Sequence, residues 1–170
     1  MAGIDVSGSG PAAAFITGDY LTAYDTQNHS LGAPNAVENL EFNTTVLSSG
    51  ISIQGANNSD IVFTTAGIFN IQFSCQVLNG SVQDREFYLW LSKNGAPEAY
   101  SNSIVTIPST HGGIDGHFVA AWNFVIQAAP GDSYQLCWSG NNTAISIETI
   151  PSPAAPIPVS PSAILTVSQV

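Results

Sequence analysis

The sequence predicts an all-β protein, a sandwich or jelly roll. Apolar and polar residues alternate with a period of two along most of the chain, which is the pleat of a half-buried strand. Turn signals such as Ala66-Gly67, Asn79-Gly80, Asn94-Gly95, Pro130-Gly131-Asp132 and Gly140-Asn141-Asn142 cut that alternation into short runs. No segment shows a helical period. Eight or more short strands at such spacing build a sandwich or jelly roll.

Residues 1–14 are rich in Gly, Ala and Ser and lack periodicity, with Ile4 and Val6 among the few bulky groups. They read as an extended arm that orders by lying on a neighbour, so Ile4 and Val6 are the candidate contact residues of the arm. The remainder, 15–170, reads as one domain, and 170 residues suffice for one substantial core. Early strands are expected at 20–24, 41–47 and 51–54. The clearest strand is 68–77, where Phe69, Ile71, Phe73, Cys75 and Val77 alternate with Asn70, Gln72, Ser74 and Gln76. The run 87–92 follows and ends at Asn94-Gly95, two residues that tolerate positive φ. Residues 118–126 are apolar on both faces, so both faces should be covered. The bulky row is Phe118, Trp122, Phe124 and Ile126; Trp122 and Phe124 are expected between the sheets with Phe69 and Phe73. The smaller row, Val119, Ala121, Asn123 and Val125, is the candidate trimer interface. Strands at 133–138, 144–148 and 163–170 complete the chain. Between the last two, PSPAAPIPVSP removes ladder donors and is expected to cross the end of the sandwich in extended form.

Hydrophobic residues make up 44% and charged residues 8%, against about 25% charge in ordinary globular chains. The surface must therefore be mostly neutral and polar, which suits sheets partly covered in an oligomer. The formal net charge is -10, with Arg85 and Lys93 the only strong cations, which argues against nucleic acid and anionic membranes as partners. No apolar run approaches the ~18 residues of a membrane span. The first residues lack a basic segment followed by a long apolar core, so the expectation is synthesis and assembly in a host cytoplasm. Cys75 and Cys137, each in a strand-like run, are expected to be buried free thiols.

The motifs point away from catalysis. HGGIDGH, residues 111–117, offers His111, Asp115 and His117, but three ligands among three glycines read better as a mobile surface loop than as a metal site. Nucleophile elbow, phosphate loop and dinucleotide fingerprint are all lacking. Glu38 with Glu41, or Asp84 with Glu86, are the closest carboxylate pairs, and no aromatic sugar platform is legible beside them. The expectation is no enzyme, no cofactor and no metal. Sequons at Asn28, Asn43, Asn57, Asn79 and Asn141 read as by-products of a surface rich in Asn, Ser and Thr.

The run Gly67-Ile68-Phe69-Asn70-Ile71-Gln72-Phe73 is similar to the Gly-x-Tyr-x-Phe strand of the tumour-necrosis-factor and complement-globular-head superfamily. Pro130-Gly131-Asp132-Ser133-Tyr134 resembles its Gly-Asp turn, and 162–167 its closing central strand. Phe69 stands where Tyr is usual, and the proline bridge is not typical of the cytokines. Over 60–170 the chain looks closer still to small jelly-roll proteins of tailed bacteriophages, including those of cyanobacteria. The shared features are WLSKNG at 90–95, AAWNF at 120–124, the proline bridge and the SAILTVSQV terminus. That resemblance implies a homotrimer in the virion, on the capsid exterior: a decoration or cement protein clamping the major capsid protein. The alternative it implies is the receptor-binding knob of a tail fibre or appendage.

Overall fold

The computed structural model describes residues 18–170, which fold into two antiparallel sheets packed face to face. The expected arm, with Ile4 and Val6, lies outside the described residues. The strands are β1 (Tyr20–Asp25), β2 (His29–Ser30), β3 (Glu38–Asn39), β4 (Thr44–Ser49), β5 (Ile51–Gln54), β6 (Asp60–Phe63) and β7 (Gly67–Asn79). They continue with β8 (Arg85–Lys93), β9 (Ala96–Pro97), β10 (Ser103–Ile107), β11 (Gly116–Ala128), β12 (Ser133–Gly140), β13 (Ile145–Ile147) and β14 (Ala163–Gln169).

The first sheet runs β4-β1-β14-β7-β11, with β13 and its short partner β2 continuing the line of β14 along β7. The second runs β10-β8-β12-β6-β5, with β3 on β12 and β9 on β8. Alternation in the sequence becomes alternation in burial. Phe69, Ile71, Phe73, Cys75 and Val77 of β7 point inward with Leu165 and Val167 of β14 and Leu21 of β1. Phe87 and Leu89 of β8, Leu136 and Trp138 of β12 and Ile61 and Phe63 of β6 meet them from the second sheet.

The hairpin from β8 to β9 turns on Asn94 and Gly95, whose φ of 51° and 82° are the left-handed values the dipeptide predicts. Across from it, Asp132 accepts from the N–H of Ala129 and from Asn94 Nδ2. Hydrogen bonds from Asn94 and Lys93 hold its carboxyl down at about 2. Cys75 and Cys137 are free and buried in different sheets, and burial pushes both thiols up, Cys137 to about 11.

Four expectations need correction. The strand expected at 41–47 begins only at Thr44: residues 41–43 are irregular and join β3 of the second sheet to β4 of the first. The chain changes sheets between them, with Leu40 and Phe42 buried at the crossing. Strands β6 and β10, with the two-residue β2, β3 and β9, add to the strands expected from periodicity. The proline stretch does not cross the sandwich in extended form. Ile150 and Ser160 exchange both backbone hydrogen bonds, at 3.0 and 2.9 Å, so 151–159 is an exposed loop that returns to its starting point. Finally, within the chain 118–126 is covered on one face only, which overturns a cover internal to the domain and leaves cover by a second subunit as an expectation. Among the described residues strand β11 pairs only with β7, which places it at the edge of its sheet. Trp122 and Phe124 are therefore half-buried rather than enclosed, Phe118 is 40% exposed, and the small row faces solvent.

Candidate subunit interface

The outward face of the first sheet is built by the residues that alternate with the core rows. Register places them in ranks across four strands. One rank is Tyr24, Ile164, Ser74 and Ala121; the next is Thr22, Thr166, Gln72 and Asn123; the third is Tyr20, Ser168, Asn70 and Val125. Val119 extends the face along β11 opposite Gln76. All four residues of the small row, Val119, Ala121, Asn123 and Val125, thus stand together on one exposed face, with Val119 at 52% and Val125 at 64% exposure.

The composition of this face is unusual for a chain of net charge -10. None of the residues in the three ranks is charged, and His117 is the only titratable imidazole on β11. Ile68 and Ile164 add exposed apolar surface, and Val46 and Leu47 do so on the neighbouring β4. Amides tie the strands together laterally: Asn123 Nδ2 donates to Asn70 Oδ1 at 2.9 Å. A shallow hollow of about 210 Å3 between β7 and β14, lined by Gln72, Ser74, Ile164 and Thr166, is the main relief. Beneath the edge strand, Phe73 meets Trp122 edge to face at 4.9 Å between centroids and Phe124 nearly parallel at 6.2 Å. That cluster anchors β11 from below and leaves its outer row free of any role in the core.

The two strong cations lie elsewhere and are internally engaged. Lys93 Nζ is 2.9 Å from Asp132 Oδ2 and lies over the Tyr134 ring. Arg85 Nε donates to Ser81 Oγ at 3.1 Å. Neither cation belongs to a basic patch of the kind that holds phosphates.

The other motifs resolve into structure. His111 and Ile114 close a hydrogen-bonded turn over Gly112 and Gly113, both at positive φ, and the glycine-rich segment lies at the surface as expected. Gly116 is required at its end, because a Cβ there would lie 1.8 Å from the Pro108 carbonyl oxygen. Among the described residues no three of His, Cys, Asp and Glu are gathered as metal ligands. Tyr88 and Trp90 alternate with Phe87, Leu89 and Leu91, a row to which the sequence alone assigns no role; they share the outer face of β8 with Glu86, whose carboxylate accepts the Tyr88 hydroxyl.

No protein-family model matches the chain, and no curated protein matches it in sequence. Solved structures do match. Murine APRIL at pH 5.0 superposes with a TM-score of 0.53 at 15% identity, covering 91% of this chain and all of that one. Murine APRIL at pH 8.5 gives 0.51 at 16% identity, covering 89% and 98%. The fold is a tumour-necrosis-factor-like jelly roll, all-β as the strand pattern and the quoted motifs predict.

Proposed function

We propose that the chain is a non-enzymatic structural subunit of a phage virion. In this reading it forms a homotrimer through the uncharged face of the first sheet and decorates the capsid exterior as a cement protein. One observation carries the trimer: a neutral, partly apolar face ending in β11, a thirteen-residue edge strand. A long uncharged edge is a standing template for aggregation unless something covers it. An exposed apolar face of this kind marks an interaction site. Closed cyclic symmetry covers three copies of both at once. The phage setting, the major capsid protein as partner and the cement role rest on the sequence resemblance over 60–170. Ile4 and Val6 are proposed to reach from the arm onto the shell.

Stoichiometry in purified virions is the decisive measurement. Quantitative mass spectrometry is expected to find hundreds of copies per particle, in a multiple of three. A few tens would replace the cement reading with the second one, the receptor-binding knob of an appendage. That second reading rests on the same resemblance.

A further inference from the structure

The outer face of the second sheet, across the sandwich from the assembly face, holds an open groove of about 430 Å3. Its volume falls within the roughly 300–1,000 Å3 of ordinary ligand pockets. The floor is Tyr88 and Trp90 of β8 with Ser139 of β12 beside them. Two residues apart on one strand, Tyr88 and Trp90 have Cα atoms about 7 Å apart and send their side chains to the same face of the sheet. Glu86 accepts the Tyr88 hydroxyl and fixes that ring.

Both walls are tied to the sheet. On one side Val37 stands on the segment whose Asn35 N–H donates to the Gly140 carbonyl at 2.8 Å. On the other side the turn that carries Glu98 and Asn102 is held by the Glu98 N–H to the Leu91 carbonyl at 2.8 Å. Ser101 Oγ bridges back to the Glu98 carbonyl at 2.8 Å and the Leu91 N–H at 3.0 Å. The groove is therefore preformed by backbone hydrogen bonds, independently of any ligand.

We infer that this groove binds a neutral saccharide, with one sugar ring stacked on Trp90 and Tyr88. Aromatic faces carry negative charge density and attract the polarised C–H groups of a pyranose. Asn102, Ser139 and Glu98 also line the groove, and an amide, a hydroxyl and a carboxylate are the mixed donors and acceptors that sugar hydroxyls take. The groove contains no cation, and Glu98 within a chain of net charge -10 repels sulfate, phosphate and uronate. The ligand is accordingly neutral. An open site of this size binds one ring weakly, and several copies on one particle raise the effective affinity for a glycan-bearing surface without new contacts. The inference does not depend on the cement role; it holds for the isolated chain.

The test is intrinsic fluorescence of the full chain titrated with methyl mannoside, methyl galactoside, methyl glucoside and N-acetylglucosamine. Trp138 is fully buried and Trp122 belongs to the opposite sheet, so Trp90 is the reporter. At least one sugar is expected to give a saturable change in the millimolar range. Trp90→Ala should weaken binding, read by ligand-observed NMR, at least tenfold. Asn102→Ala, an exposed change that leaves the fold alone, should weaken it about threefold, the loss of one hydrogen bond. The 6-sulfated form of the bound sugar should bind at least tenfold more weakly than the neutral one. The proposal is overturned if no sugar saturates, if the sulfated form binds better, or if both variants bind as the wild type does. Loss of shell binding by Trp90→Ala without any sugar binding by the wild type would also overturn it, and would make the groove a protein contact.

Discussion

Asp25 ends β1 with its side chain wholly buried, and its Oδ2 collects three donors. They are His29 Nε2 at 2.6 Å, Ser162 Oγ at 2.9 Å and the Gln27 N–H at 3.2 Å. Oδ1 has no partner. Burial pushes this carboxyl up, yet the three hydrogen bonds together outweigh it and hold the group below its ordinary 3.8. On the other side, the hydrogen bond to Asp25 raises His29 above 6.5 against the opposing effect of burial. The signs fix a window. The carboxylate contributes stability above pH 3.8 that is lost as pH falls through its lowered folded value. The imidazolium contributes stability that is complete below pH 6.5 and is lost as pH rises through its raised folded value. The stability difference between the wild type and His29→Gln should be greatest between about pH 4 and 6.5, on the order of 1.5–3 kcal/mol for a charged hydrogen bond. Thermal melts of both proteins from pH 4 to 9 should show the gap narrowing on the alkaline side; a gap constant across that range would refute the assignment. Asn79 shows how far single residues are legible. Within a sequon it is indistinguishable from Asn43, yet it is buried and its Nδ2 donates to the carbonyls of Gln83, Ile107 and Pro108. Only the meeting of two loops that are distant in sequence separates a structural bracket from a surface amide.

At the scale of elements, β13 and β14 run end to end along the same side of β7, pairing with its residues 77–79 and 69–75. They are one strand line interrupted opposite a single residue. The Gln76 carbonyl accepts from the Glu148 N–H at 3.0 Å, and the Gln76 N–H donates to the Ser162 carbonyl at 2.8 Å. The proline-rich loop is thus an insertion at a bulge, closed at its neck by Ile150 and Ser160. Its prolines told the sequence reader that no central strand passes there. They did not tell that the chain returns to the same line, because that fact lies in the pairing partner. The same limit explains β11. Its period was legible, and so was the division into bulky and small rows. That the strand lies at an edge, half-covering Trp122 and Phe124, follows from β7 having strands on both sides and β11 having one. The site followed the same pattern: the small row was named from its residues, but the neutral ranks across β1, β14 and β7 exist only through register. Replacing 151–159 by Asn-Gly should preserve the fold, since Ile150 and Ser160 already form the hydrogen-bonded pair that a two-residue turn closes. Circular dichroism should be unchanged and the melting temperature should drop by no more than a few degrees. Loss of cooperative unfolding would mean that the loop packs as part of the core.

Viewed across the whole molecule, the sandwich separates its chemistry by face. The core between the sheets holds the large aromatics. Lys93 and Asp132 pair at a turn, and Glu86 and Glu98 belong to the outer side of the second sheet. The ranks of the first sheet carry no charge. Such a division has little use in a monomer, where a charged outer face costs nothing and aids solubility. In a trimer it removes the cost of desolvating charges at the contact, which attraction between paired charges often fails to offset. Ala121 stands in the rank with Ser74, Ile164 and Tyr24, and its side chain is exposed, so an arginine there can extend into water in the isolated subunit. Ala121→Arg should therefore change subunit stability by no more than about 0.5 kcal/mol, the usual range for a surface position. Three copies brought together would bury three unpaired guanidinium groups, each costing several kcal/mol. Sedimentation velocity at micromolar concentration should show a trimer for the wild type and a folded monomer for Ala121→Arg. Thr106→Arg, on the exposed side of β10 in the other sheet, should remain a trimer and controls for added charge alone. A wild type that sediments as a stable monomer would defeat the assembly reading outright. An Ala121→Arg trimer as tight as the wild type would place the contact on another face, with the edge of β4 at Val46 and Leu47 the next surface to substitute.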